Sequence, residues 1–299
     1  MEYMWITECP RDAMQGLPYF IPTGKKEEYL RALLTAGFST IDIGSFVSPT
    51  AIPQLSDTGA LLSLLAPYKS DTRFLVIIGN ERGAIEASRH PAVDILGFPW
   101  SISGKFLQHN LRSDLVRSRQ LITSLIEMCR DTGKELQVYI SMAFGNPYDD
   151  PWNEELLIDA IRELHEMGVG KVSLSDTVGF SNPESIRTVF TRVLNTYSSL
   201  ECSFHLHTSD ELWKERVKAA WDAGCRHFDS VLNGMGGCPM SAYRMIGNLN
   251  TMQLLSFCEE NGIAHGLNLP GLHAAAEIAG RNLSSGVPLV KGNMPSSHN

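Results

Sequence analysis

The chain has 299 residues, 43 % hydrophobic and 19 % charged, the balance of a globular protein rather than a disordered or fibrous one. Its net charge of −8 argues against a nucleic-acid or anionic-membrane partner, and no apolar run approaches the ~20 residues that span a bilayer. Six cysteines without a CxxC pair, mostly inside predicted elements, and a start (Met1-Glu2-Tyr3-Met4-Trp5) with no leader-like basic region point to free thiols in the cytoplasm.

The first predicted strand, Met4–Glu8, runs into Cys9-Pro10-Arg11-Asp12, with Gln15 close behind. A helix over Lys25–Ala36 stops at Gly37. The second strand, Thr40–Ile43, sets Asp42 between Ile41 and Ile43, so it faces away from them, and Ser45 follows. Strands at Phe74–Ile78, Val93–Leu96, Gln137–Ser141 and Lys171–Leu174 come next, separated by helical patterns over Pro53–Leu65, Glu81–Ser88, Ser113–Thr132 and Asn153–Met167. Lys105, His109 and Asn110 fall in a polar stretch that reads as a solvated loop. The sixth strand ends in Ser175-Asp176-Thr177, and a helix over Pro183–Tyr197 leads to the seventh, Ser203–His207. After a helix over Glu211–Ala223 and an eighth strand, His227–Val231, comes the glycine-rich run from Asn233 through Gly236-Gly237-Cys238-Pro239 to Gly247-Asn248, then a helix over Thr251–Asn261.

Eight strands alternating with eight helices predict one (β/α)8 barrel, a TIM barrel, over about 4–262. A short C-terminal helical extension, 263–299, with a helix around His273–Ala279 and no further strand, completes a single domain over 1–299. A doubly wound open sheet is the structural competitor, but no GxGxxG follows the first strand.

Alternation within the seventh strand puts Cys202, Phe204 and Leu206 against a hydrophobic layer and turns Ser203, His205 and His207 the other way. Two imidazoles on one face of a strand can grip one ion, and strand-end Asp12 supplies a carboxylate. With an amide oxygen added, the donor set suits octahedral Mg²⁺ or Mn²⁺, and Zn²⁺ is compatible with the ligand types. Arg11 either pairs with Asp12 or Asp42 at the barrel mouth or faces a developing anion. Asp42 and Asp176 are candidate orienting carboxylates. The thiol of Cys238 sits in a loop with freedom to move.

These segments resemble the 3-hydroxy-3-methylglutaryl-CoA lyase family of the DRE-TIM metallolyases. The likeness rests on Glu8-Cys9-Pro10-Arg11-Asp12-Ala13-Met14-Gln15, on Ser45-Phe46-Val47-Ser48-Pro49 with Ile52-Pro53-Gln54, and on Leu174-Ser175-Asp176-Thr177-Val178-Gly179. It rests further on His205 with His207, on Gly236-Gly237-Cys238-Pro239, and on Gly247-Asn248. The resemblance implies Asp12, His205, His207 and Asn248 as metal ligands. It implies Arg11 as stabiliser of an enolate, Cys238 as a catalytic loop residue, and His205, His207 or Asp176 as base or orienting partner. Gln15, Asp42, Ser45, Asn110 and Thr177 join Arg11 as candidate substrate contacts. The reaction implied is cleavage of 3-hydroxy-3-methylglutaryl-CoA, or a close 3-hydroxyacyl-CoA, to acetyl-CoA and acetoacetate, by a homodimer.

Ala13 stands where the family has Gly, Thr208 where it has Asp, and Thr251-Met252-Gln253 where it has T-E-D. The nine residues between Cys238 and Asn248 are one more than the family spacing. Two rivals follow. One is an acetyl-CoA-dependent condensing synthase, which such enzymes' extra C-terminal domains disfavour; the other is a catalytically silent metal-binding barrel.

Overall fold

The computed structural model describes residues 2–236 and 246–288. Cys238, its neighbours Gly237 and Pro239, Tyr243-Arg244 and the tail beyond 288 lie outside the described residues.

The chain opens with β1 (Trp5–Glu8), α1 (Pro10–Gln15), β2 (Tyr19–Phe20), α2 (Thr23–Ala36) and β3 (Thr40–Ser45). It continues through α3 (Thr58–Leu65), β4 (Arg73–Ile77), α4 (Glu81–Ser88), β5 (Ile95–Ser101), α5 (Gly104–Leu111) and α6 (Leu115–Thr132). Then come β6 (Glu135–Ser141), α7 (Glu154–Glu166), β7 (Lys171–Asp176), α8 (Pro183–Thr196), β8 (Glu201–Leu206) and α9 (Trp213–Asp222). The last elements are β9 (His227–Ser230), α10 (Thr251–Asn261), α11 (Leu269–Asn282) and β10 (Val287–Pro288). Strands β1, β3, β4, β5, β6, β7, β8 and β9 pair in that order, all parallel, and β9 closes on β1.

Strand alternation sorts the side chains into two shells. Ile41 and Ile43, Phe74 and Val76, Val172 and Leu174, Cys202, Phe204 and Leu206, and Phe228 join the core between barrel and helices. The opposite faces fill the lumen. A small apolar plug of Leu75, Ile77, Ile95 and Tyr139 occupies one side. Polar residues of β7, β8 and β9 occupy the other: Ser173 Oγ donates to Asp229 Oδ2 at 3.2 Å, and His205 meets the same oxygen.

Several elements depart from the sequence expectation. Gly104–Leu111 is a helix rather than a loop: Ser103 caps it by accepting from the Phe106 N–H, and Phe106 and Leu107 are buried beneath it. Three apolar side chains in eight residues, Phe106, Leu107 and Leu111, are too few for periodicity to reveal. The predicted helix Pro53–Leu65 splits into a 3-10 turn, Pro53–Leu55, and α3. The extension does carry a strand: β10 pairs antiparallel with β2, and Tyr19 donates to the Leu283 carbonyl. Two-residue strands leave no alternation to read. α11 spans more than its predicted core and packs along α2.

Candidate metal centre at the barrel mouth

α1 starts at Pro10, whose missing N–H is no loss at a first helical turn. This short helix presents Arg11, Asp12 and Gln15 together. Arg11 Nε donates to Asp42 Oδ2 at 2.8 Å, and Nη2 lies 2.6 Å from the same oxygen. Nη1 donates to Asp12 Oδ1 at 2.9 Å and to Gln15 Oε1 at 3.0 Å, and the Gln15 amide nitrogen donates back to Asp12 Oδ1. Two edges of the guanidinium are therefore pinned, and among the described residues one Nη2 hydrogen has no acceptor. Burial works against the Arg11 charge, but Asp42 and Asp12 outweigh it and keep the group cationic. Burial lifts the Asp42 carboxyl to about 6 even against Arg11. Burial would also lift Asp12, yet Arg11 and then His205 and His207 hold it below its ordinary value.

The two histidines supply the decisive geometry. His205 Nδ1 meets Asp229 Oδ2 at 3.1 Å, and His207 Nδ1 meets the Ile246 carbonyl oxygen at 3.2 Å. A carboxylate and a carbonyl only accept, so each ring carries its proton on Nδ1. The two Nε2 atoms, 3.2 Å apart, then turn lone pairs towards each other. Asp12 Oδ2 is buried, has no hydrogen-bond partner among the described residues and lies 3.9 Å from His205 Nε2. Among the described residues these three acceptors converge with no donor hydrogen-bonded to the facing atoms, an arrangement that is costly in a buried site unless a cation fills it. The residues fit a divalent ion. Burial lowers the affinity of His205 for a second proton, but Asp229 more than restores it; burial and His205 together push His207 down to about 4.

Asn248 is brought to the same place. Its backbone bridges to His207, its side chain lies against the Asp12 carboxylate, and its Nδ2 donates to the Met235 carbonyl at 2.9 Å. Gly236, at φ +91°, threads between them: a Cβ there would stand 2.5 Å from the Asp12 carbonyl oxygen and 3.0 Å from Asn248 Nδ2.

The other candidates are placed as follows. Ser45 Oγ donates to the Ile77 carbonyl and accepts from the Val47 N–H. Thr177 Oγ1 accepts from the Met142 N–H, holding Met142 at φ +60°. Asn110, on α5, has a buried amide oxygen with no hydrogen-bond partner among the described residues. Asp176 is not brought to the cluster. It shares the outward face of β7 with Val172 and Leu174, accepts from the N–H groups of Phe180 and Ser181 at 2.9 Å, and lies 3.9 Å from the buried Arg216. Burial raises its carboxyl above the ordinary value. Thr208, at the family's Asp position, is a buried hydroxyl 3.5 Å from Arg216 Nη1.

Asp229 is the residue sequence reasoning passed over. It alternates with Phe228 on the eighth predicted strand, so its inward direction was readable by the same rule that oriented His205. Its carboxylate fixes the tautomer and tilt of that ring. Asp229→Asn should weaken Mn²⁺ binding by roughly 10- to 100-fold, because an amide can present N–H to Nδ1 and reverse the tautomer. Calorimetric titration checks this; unchanged affinity would remove Asp229 from the site.

The HMGL-like family model matches residues 3–279. The (R)-citramalyl-CoA lyase of Chloroflexus aurantiacus is 28 % identical over 306 residues, 98 % of this chain and 95 % of that one. The rat cytoplasmic 3-hydroxy-3-methylglutaryl-CoA lyase is 28 % identical over 278 residues, 93 % of this chain and 80 % of the relative. Among solved structures, an HMG-CoA lyase from Acinetobacter baumannii in complex with coenzyme A and 3-methylmalate superposes with a TM-score of 0.87 at 28 % identity, covering 99 % of this chain and 97 % of that one. The Bacillus subtilis HMG-CoA lyase gives 0.88 at 26 %, covering 97 % and 96 %.

Proposed function

The chain belongs to the HMGL-like family and with it to the carbon–carbon lyases of the DRE-TIM superfamily, and on that premise we propose that it cleaves the CoA monothioester of a branched 3-hydroxy diacid, releasing acetyl-CoA, with Mg²⁺ or Mn²⁺ as cofactor. The observation that carries the reading is the convergence of Asp12 Oδ2 and two imidazole lone pairs beside a guanidinium fixed in place by Asp42.

Asp12, His205, His207 and Asn248 would hold the cation, which when bound would acidify the substrate hydroxyl and anchor the adjacent carboxylate. In the cleavage the hydroxyl proton passes to a base. The bond between the carbinol carbon and the thioester α-carbon then breaks, and its electron pair moves onto the α-carbon as an enolate. Arg11 stabilises that enolate: its charge is buried and already oriented, so little reorganisation is needed as the anion develops. Asp42 and Gln15 keep it aimed. A proton must then reach the enolate carbon, and Cys238, the catalytic loop residue that the family resemblance implies, is our candidate donor. Asp176 enters only by shaping the loop after β7, which carries Thr177.

Two substrates of one class fit this chemistry. 3-Hydroxy-3-methylglutaryl-CoA would yield acetoacetate. Citramalyl-CoA, one methylene shorter between carbinol and carboxylate, would yield pyruvate; near-complete mutual coverage with the Chloroflexus relative favours including it. Mg²⁺-loaded protein should release acetyl-CoA from at least one of the two, and the co-product identifies which. Release from neither, by protein that demonstrably binds the cation, contradicts the proposal. The cytoplasm and a homodimer complete the reading; the buried thiols of Cys9, Cys129, Cys202, Cys225 and Cys258 support the first.

A further inference from the structure

Glu8 ends β1 on the face opposite the lumen and is wholly buried, yet it belongs to neither the metal cluster nor the Arg11 network. Its two oxygens reach two separate pieces of chain. Oε1 accepts from the Leu232 N–H at 2.7 Å, and Oε2 pairs with Thr251 Oγ1 at 2.6 Å, which in turn meets Ser230 Oγ at 2.9 Å. Leu232 follows β9, and Thr251 opens α10. Between them runs the stretch that passes Gly236 against Asp12 and returns through Asn248. The returning stem is paired by backbone to its neighbours: Val231 N–H to Leu249 oxygen at 2.9 Å, Thr251 N–H to Val231 oxygen at 3.1 Å, and Leu249 N–H to Leu206 oxygen at 2.9 Å.

We propose that Glu8 is a positioning residue that clamps both stems of this stretch to β1, four residues upstream of Asp12, and so fixes Asn248 and the Ile246 carbonyl against the two histidines. One side chain thereby ties the first barrel strand to the last and sets the distance between the carboxylate ligand on one side of the closure and the amide on the other. The tie works by hydrogen bonding rather than by charge: among the described residues no cationic group pairs with Glu8, and burial lifts its carboxyl to about 8, so it is largely uncharged at neutral pH. An isosteric amide therefore suffices, whereas an apolar side chain releases both stems and strands the Leu232 N–H.

The inference rests on the metal reading above only where it concerns ligand placement, so its test has one arm without metal. In metal-free protein, hydrogen exchange should quicken by about tenfold or more in Glu8→Leu across residues 231–236 and 246–251, and stay unchanged across α6. Mn²⁺ affinity should fall about tenfold, and Glu8→Gln should restore both properties to within about threefold. Thr251→Val, which cuts one arm of the clamp, should show the same two changes at smaller size and decides the matter if Glu8→Leu does not fold. Unchanged exchange in the two stems, or a Glu8→Gln variant as impaired as Glu8→Leu, overturns the clamp. Wild-type protein that binds no Mn²⁺ refutes the metal reading instead and leaves the exchange arm to judge Glu8.

Discussion

Asp12→Asn is expected to lower kcat by on the order of 10³-fold, since the lost cation chemistry amounts to several kcal/mol and each ~1.4 kcal/mol is a factor of ten. The substitution should not unfold the protein. Its amide oxygen can take over the bonds that Arg11 Nη1 and the Gln15 amide make to Oδ1. Its amide nitrogen then faces the imidazole Nε2 atoms, which have no donor among the described residues. Without metal the variant should therefore melt no lower than wild type, and addition of Mg²⁺ should raise wild-type Tm while leaving the variant unmoved. A variant that retains turnover, or responds to Mg²⁺ as wild type does, would remove Asp12 from the metal centre.

Arg11→Met should cost kcat roughly 10²-fold or more with a change in KM of no more than about threefold, the signature of an interaction made chiefly in the transition state. Stability enters as well, because Asp42 loses the cation 2.6 Å away and is left buried and unpaired. Breaking a buried pair this way typically costs about 3–5 kcal/mol. The double variant Arg11→Met/Asp42→Asn should recover most of that loss without recovering turnover. If turnover returns together with stability, Arg11 is a structural residue and the enolate needs another stabiliser.

How far the sequence reveals this site depends on which rule each residue obeys. Strand alternation is strong enough to turn His205 inward and Cys202, Phe204 and Leu206 outward from the six residues 202–207, and it sets Asp42 facing Arg11. The same alternation separates Asp229 from Asp176. Lys171-Val172-Ser173-Leu174-Ser175-Asp176 places Asp176 with the apolar residues, while Phe228-Asp229 places Asp229 with His205. The family-like motif contains Asp176, whereas no motif marks Asp229. Convergence itself is not legible. That His205 and His207 both spend Nδ1 on fixed acceptors depends on the Ile246 carbonyl, 39 residues downstream of His207, and on β9 closing beside β8. Glu8 shows the same limit: its partners Leu232 and Thr251 become neighbours of β1 only when the barrel closes. Short elements such as α5, β2 and β10 fall below the length at which either period can be counted.

On the proposed reading, Asp12, His205 and His207 form a single divalent-cation site. Titration of metal-free protein with Mn²⁺, followed by electron paramagnetic resonance of the free ion, tests it most directly. One tightly held Mn²⁺ per chain, displaced by Mg²⁺ and lost in His207→Ala, is the predicted result. No saturable binding, or binding that survives unchanged in His207→Ala, would contradict it.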